Sequence, residues 1–125
     1  MAAIARRESM DAAAIPHDLA TTTYELPGLV VMQSMGLVRG IVVRSRSVIG
    51  RFAARIETIF GGNITFYTTM CERAREDAFD IMLAHAQRMG ANAVVGVRYD
   101  TAEVMTGVTE VLCYGTAVVV EEEQG

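Results

Sequence analysis

Apolar residues recur at helical spacing in the middle of the chain. Thr69 and Glu72 form a capping-box pattern, Arg88 precedes a stop signal, and Gly90 stands where a helix commonly ends. These signals predict an amphipathic helix between Thr69 and Gly90. Its apolar stripe covers about half of the circumference, more than contact with one small sheet usually needs. The stripe consists of Met70, Cys71, Ala74, Ala78, Phe79, Ile81, Met82, His85, Ala86 and Met89.

A period of two predicts a β-hairpin near the C-terminus. Residues 93–104 and 109–120 are the two strands, joined near Thr106-Gly107. The second strand is apolar at both parities, so both of its faces are expected to be buried. One subunit with two helices covers one sheet face, so the other face is expected to contact another copy. Val111, Cys113 and Ala117 share one face, and the interface candidates Leu112, Tyr114, Val118 and Val120 share the other.

The remaining segments complete a β-α-α-β-β order. Residues 29–43 are rich in β-formers and predict an extended segment, or two short strands kinked at its glycines. Residues 48–60 predict a short amphipathic helix. We expect residues 1–20 to form a flexible N-terminal arm and residues 21–125 to form a single domain. The fold class is α+β, a two-layer subunit with a mainly antiparallel sheet.

Composition narrows the class of protein. The 125 residues are 51% hydrophobic and 21% charged, which excludes a disordered chain and indicates one domain. A net charge of −4 argues against a nucleic-acid or membrane-surface binder. No apolar run is long enough to span a bilayer. Two cysteines do not make a disulfide framework, and no signal peptide is evident, so we expect a cytoplasmic protein with reduced thiols.

Five sequence blocks occur together in one order. They are Gly-Gly at 61–62, Tyr67, Ala-Arg-Glu-Asp-Ala-Phe at 74–79, Met-Gly-Ala-Asn-Ala-Val-Val-Gly-Val at 89–97, and Gly-Thr-Ala-Val at 115–118. In this order they resemble the YbjQ-like family, over roughly residues 21–120. The resemblance implies a subunit similar to the dodecin type, assembly into a ring that is typically a homopentamer, and a heavy-metal-binding label. Asn92 and Arg98 depart from the family pattern, which has acidic residues there.

Metal binding is one hypothesis for the function. The soft candidate ligands are His85, Met89, Cys71, Cys113, Met70 and Met82. Cys71 and His85 lie about 21 Å apart along one helix, so they do not share an ion within one chain. His85 and Met89 are one turn apart and could approach one ion. No paired-ligand motif is present, so we expect no tight structural zinc in the isolated chain; packing is the alternative role for these residues.

An arginine-rich segment provides a second hypothesis. It carries five arginines and no acidic residue, and would serve an anion site, or pair with acidic residues across subunits. The five are Arg39, Arg44, Arg46, Arg51 and Arg55.

No catalytic motif occurs, and His85 would act as an acid or base only beside a carboxylate supplied by a neighbour. We therefore expect a homo-oligomeric, non-enzymatic binding or scaffold protein. The alternative is a binder of anions or small metabolites, or an enzyme, that uses an arginine-rich pore or an intersubunit cleft.

Overall fold

The computed structural model describes residues 14–45 and 64–124, with backbone alone at 64–68. A short 3-10 helix, His17–Leu19, precedes strand β1, Leu29–Ser45. Helix α1, Ile64–Arg88, is followed by strands β2, Ala93–Met105, and β3, Val108–Glu122. The three strands form an antiparallel sheet in the order β1-β3-β2. The α+β class and the antiparallel sheet are confirmed, while the helix predicted at 48–60 lies outside the described residues.

Strand β1 is one 17-residue strand rather than two short ones. It pairs with β3 from Leu29 to Ser45, and its register shifts once between Val31 and Gln33 and once between Ser34 and Gly36. Gly36 has a φ of 106°, which supplies the left-handed conformation that the second irregularity uses. Gly36 therefore accommodates an irregularity within one continuous strand.

The described part of helix α1 starts at Ile64, before the capping-box pattern at Thr69, and the helix ends as expected before Gly90. The amide of Ala91 donates to the Ala86 carbonyl at 3.1 Å, and the amide of Gly90 donates to the Gln87 carbonyl at 3.0 Å. These two bonds form a Schellman motif, in which Gly90 takes a φ of 91°. Buried Ala86 and Ala91 supply the apolar contact that usually accompanies this motif.

The helix lies unusually close to β1 at Gly40. A Cβ on Gly40 would overlap the Ala78 carbonyl oxygen and would lie 2.6 Å from the Met82 backbone nitrogen. Glycine is therefore required here because the helix backbone occupies the space of a side chain. Around this contact the buried core contains Val38, Val42, Ala74, Ala78, Met82, Leu83, Ala86, Val94, Val97, Val111, Cys113 and Ala117.

The chain before β1 covers one end of the other sheet face. Leu26 packs there with a second buried group formed by Ala93, Val95, Val118 and Val120. Val118 and Val120, expected at a subunit interface, are thus covered within the chain. The sequence prediction considered only helices as cover for this face, and the covering segment is irregular.

The described part of the predicted arm is packed on the same chain. Ile15 is buried in the core, and the His17 ring meets Phe79 edge-on at 4.9 Å. His17 Nε2 also lies 3.0 Å from Asp80 Oδ1. Ala20 forms a parallel bridge with Val94. The described residues 14–20 are therefore packed against the rest of the chain, while the rest of the predicted arm lies outside the described residues.

Asn92 connects the end of α1 to the sheet. Its side-chain amide donates to the Val120 carbonyl at 3.0 Å, and its oxygen accepts from the Val120 amide at 2.8 Å. These two hydrogen bonds follow the pattern that a paired strand would form with the Val120 backbone. They require both a donor and an acceptor on the side chain. An ionised aspartate has only acceptors and could not donate to the Val120 carbonyl. The structure therefore explains why this chain has asparagine where the family pattern has an acidic residue.

We predict that Gly40→Ala lowers the free energy of unfolding by about 3 kcal/mol or more, the upper part of the overpacking range, because the helix backbone must move. Gly28 is the control, since its φ is 77° and nothing lies within 4 Å of its Cβ position. Gly28→Ala should cost about 1–2 kcal/mol from backbone conformation alone. Urea unfolding monitored by circular dichroism measures both. Equal losses in the two variants would contradict the close contact.

Candidate functional site

Two sulfur atoms meet at the centre of the core. The Cys113 thiol donates to the Met82 thioether, with 3.7 Å between Sγ and Sδ. Both side chains are fully buried. Cys113 pairs with Gly40 across β1 and β3, and Met82 lies directly over Gly40 on α1. The missing side chain at Gly40 thus allows a helix sulfur to reach a strand sulfur; we call Cys113 and Met82 the sulfur pair.

Tyr99 connects the sulfur pair to the surface. It lies beside Cys113 in the register of β2 and β3, and the two side chains are close enough to affect each other's pKa. Burial raises the pKa of Cys113 to about 11, although the neighbouring Tyr99 opposes that change. Burial, followed by the neighbouring Cys113, raises the pKa of Tyr99 to about 12. Both groups are therefore neutral at physiological pH.

A cavity of about 440 Å³ opens to solvent beside Tyr99. Glu72 and Glu76, one turn apart on α1, line it together with Arg75. Phe79 and His17 complete the lining. The cavity offers two carboxylates and one guanidinium around a half-exposed phenol, so it carries a net negative charge.

Of the sequence-predicted metal ligands, Cys71 lies far from His85 and Met89. Cys71 is exposed in the first half of α1, while His85 lies in the last turn and Met89 directly follows the helix. The Arg39 amide donates to His85 Nδ1 at 3.3 Å, so this nitrogen is in use at the edge of β1. Within residues 14–45 and 64–124, no group of three or more His, Cys, Asp or Glu side chains is placed to hold a metal.

Two of the five segment arginines are described, and they lie on opposite sheet faces. Arg39 is exposed on the face away from α1. Arg44 faces α1, where its guanidinium lies 3.1 Å from an Asp77 carboxylate oxygen and 3.4 Å from the Val43 carbonyl oxygen. Residues Arg46, Arg51 and Arg55 lie outside the described residues. Alternation along β1 thus separates Arg39 from Arg44.

Apolar side chains remain exposed on the sheet face away from α1. Leu37 is 61% exposed and Ile41 is 43% exposed on β1. Leu112 and Tyr114 on β3 are only half-buried beside them. We call Leu37, Arg39, Ile41, Leu112 and Tyr114 the sheet-face patch.

Sequence reasoning missed two contacts that the β-bulge in β2 creates. Gly96, with a φ of 65°, lies where the register with β3 shifts between Val95 and Arg98. The Arg98 guanidinium donates to the Thr22 carbonyl at 2.8 Å and stacks over the Tyr24 ring. The same shift sets Tyr99 beside Cys113. A lone glycine in a strand pattern was the available signal for the bulge.

The chain belongs to a family described as "Putative heavy-metal-binding", whose model matches residues 19–121. A UPF0145 protein of Burkholderia lata is 59% identical over 101 residues, covering 81% of this chain and 85% of its own. A UPF0145 protein of Burkholderia mallei strain SAVP1 is 60% identical over 100 residues, covering 80% and 90%. The resemblance to the YbjQ-like family is therefore confirmed.

A solved structure shares the fold at low sequence identity. It is a protein of unknown function from the DUF74 family of Pediococcus pentosaceus ATCC 25745, with a TM-score of 0.53 and 16% identity. The match covers 82% of this chain and 96% of that one. Among the described residues, no helix has the length and apolar character needed to cross a membrane.

Raised pKa values in the fold predict a loss of stability at alkaline pH. Cys113 and Tyr99 hold their protons more tightly folded than unfolded, so the folded chain binds more protons between about pH 9 and pH 12. These two groups add no pH dependence below about pH 9, and the free energy of unfolding should fall as pH rises through that window. The chain has no lysine, so no amine side chain titrates alongside.

Urea unfolding at stepped pH measures this loss. The double variant Cys113→Ala, Tyr99→Phe should show a shallower decline above pH 9, whatever its stability at pH 7. A decline of unchanged steepness would show that other groups cause it.

Proposed function

We propose that this chain is a homo-oligomeric, non-enzymatic binding protein whose copies associate through the sheet-face patch. The observation that carries the proposal is the exposure of Leu37 and Ile41 beside half-buried Leu112 and Tyr114. An isolated sheet with a continuous apolar surface is prone to association, and such a surface usually marks an interaction site. The patch also contains an arginine and a tyrosine, residue types enriched where proteins bind one another.

A second copy is the occupant that the charges favour. Arg39 lies on one side of the patch, and no side-chain partner for its guanidinium occurs among the described residues. Asp100 and Glu110 lie on the same sheet face, next to Leu112 and Val43 in the strand register. Identical copies can therefore pair these opposite charges around an apolar centre. The pentameric number and the ring rest on the family resemblance.

Arg44 supports pairing rather than anion capture for the arginine-rich segment. The Arg44 guanidinium contacts Asp77 on α1. One of the two described arginines of the segment is therefore already paired with a carboxylate. A non-enzymatic role agrees with the placement of His85, whose Nδ1 accepts a backbone hydrogen bond rather than facing a carboxylate. These contacts favour a binding protein over an acid–base catalyst.

The proposal predicts that Ile41→Glu shifts the protein from oligomer to monomer. A buried carboxylate at the apolar centre of an interface has no partner, so association should weaken by at least about 100-fold, as for a lost hot spot. Light scattering after size-exclusion chromatography, over a range of micromolar concentrations, measures the mass.

Met105→Glu is the matched control, because Met105 is 65% exposed near the β2–β3 turn and outside the patch. It should leave the oligomeric mass unchanged. A monomeric wild-type protein at these concentrations, or an Ile41→Glu variant with the wild-type mass, would contradict assembly through this face.

A further inference from the structure

We propose that a cavity between α1 and the sheet binds a small organic anion, a carboxylate on a compact apolar body of about the size of benzoate. The cavity lies on the sheet face that carries α1, opposite the sheet-face patch. All of its described lining comes from one chain, so the inference does not depend on the assembly proposed above. We call this space the interlayer cavity.

The interlayer cavity lies beyond the close contact of α1 with Gly40. On β1 it is lined by Arg44, four residues after Gly40 and opposite Thr109 in the strand register. On α1 it is lined by Ala74, one turn before the Ala78 carbonyl that meets Gly40. Packed interiors leave few spaces larger than a water molecule, so a cavity of about 180 Å³ in this layer has room for a ligand.

Apolar side chains form the inner wall. Ala74 on α1 and Val111 on β3 are buried, and Met70, one turn before Ala74, is half-buried. An apolar protein cavity of about 150 Å³ holds one benzene molecule. The interlayer cavity therefore fits a single six-membered ring or a branched chain of similar size, but not a larger metabolite.

The charged part of the lining is cationic. Arg44 and Arg75 line the cavity, and no aspartate or glutamate among the described residues does. Arg44 is paired with Asp77, whereas Arg75 has no carboxylate within salt-bridge distance in the part of the chain that the structure describes. The charge left for a ligand is therefore that of Arg75, whose guanidinium can donate two parallel hydrogen bonds to one carboxylate.

Hydroxyl groups extend the preference for an anion. Thr101 on β2 and Thr109 on β3 line the cavity, and each hydroxyl can donate to a carboxylate oxygen. An ammonium group would find no carboxylate in this lining. The apolar inner wall with a few polar groups beside it is the usual composition of a small-molecule site.

Cys71 makes occupancy of the cavity measurable. Its thiol is exposed and lines the cavity, whereas Cys113, the other cysteine, is buried. Benzoate is the probe, and we expect calorimetry to give one benzoate per chain with a dissociation constant of about 1 mM or lower, within the range open to a ligand of about nine non-hydrogen atoms. At ten times that constant, Cys71 labelling by a thiol reagent should slow about tenfold.

Two further probes separate charge from shape. Benzamide keeps the ring and removes the charge, while acetate keeps the charge and removes the ring. Each should bind at least about fivefold more weakly than benzoate, because each loses either the ion pair or the apolar contact. Acetate binding as tightly as benzoate would show general anion attraction and would overturn the proposal.

Arg75→Gln tests the charged contact. It should weaken benzoate binding by at least about fivefold, the upper end for one exposed ion pair. Arg73→Gln is the matched control, since Arg73 is exposed on α1 outside the cavity lining and its loss changes the net charge equally. The control should bind benzoate as the wild type does.

Thr101→Phe tests the location. Thr101 is exposed on β2, where an aromatic residue suits a strand, so the variant should fold with the wild-type circular dichroism spectrum. Its ring would occupy the cavity and should abolish benzoate binding, whereas Met105→Phe, outside the lining, should not. Wild-type affinity in Arg75→Gln or Thr101→Phe, or a wild-type protein that binds no benzoate, would overturn the proposal.

Discussion

The described fold depends on the contact between α1 and β1 at Gly40. Because this residue has no Cβ, the Ala78 carbonyl and the Met82 amide approach the strand backbone directly. The short separation lets small residues on the helix, Ala74 and Ala78, fill the layer between helix and sheet. A larger residue at Gly40 would separate the two layers and leave voids around these alanines, so the core would lose contacts on both sides.

The same contact organises the chemistry of the core. It places Met82 over the strand pair of Gly40 and Cys113, so that a thioether from the helix meets a thiol from the sheet. It also brings His85, one turn later on α1, to the edge of β1, where its Nδ1 accepts the Arg39 amide. That bond occupies one donor on a strand edge that no other described strand covers, which hinders pairing of this edge with another chain.

The sequence predicted the helix and strands better than it predicted which segments pack over the sheet. Strong periodicity predicted α1 and the hairpin. Gly90 correctly predicted the helix end, because this end requires the left-handed backbone conformation that glycine adopts readily. The cover provided by Leu26 escaped prediction, since an irregular segment has no periodic signal. The packing of Ile15 escaped for the same reason, and Ala-rich residues around it suggested an arm.

The candidate site was harder to predict from the sequence than the fold. Cys113 and Met82 were each visible as soft ligands, but their 31-residue separation follows no metal motif. Their meeting depends on the register of β1 with β3 and on the close approach at Gly40, and neither is encoded in spacing. Tyr99 reaches Cys113 only because the bulge at Gly96 shifts β2 by one residue.

Labelling of the Cys113 thiol by a bulky disulfide reagent tests most directly whether the Gly40 contact closes the core. In a Cys71→Ser background, Cys113 should react only when the fold opens, far more slowly than the exposed Cys71 of the wild type. Adding Gly40→Ala should speed Cys113 labelling by about 100-fold, the factor that corresponds to about 3 kcal/mol. An unchanged labelling rate in Gly40→Ala, or a Cys113 as reactive as Cys71, would contradict this account.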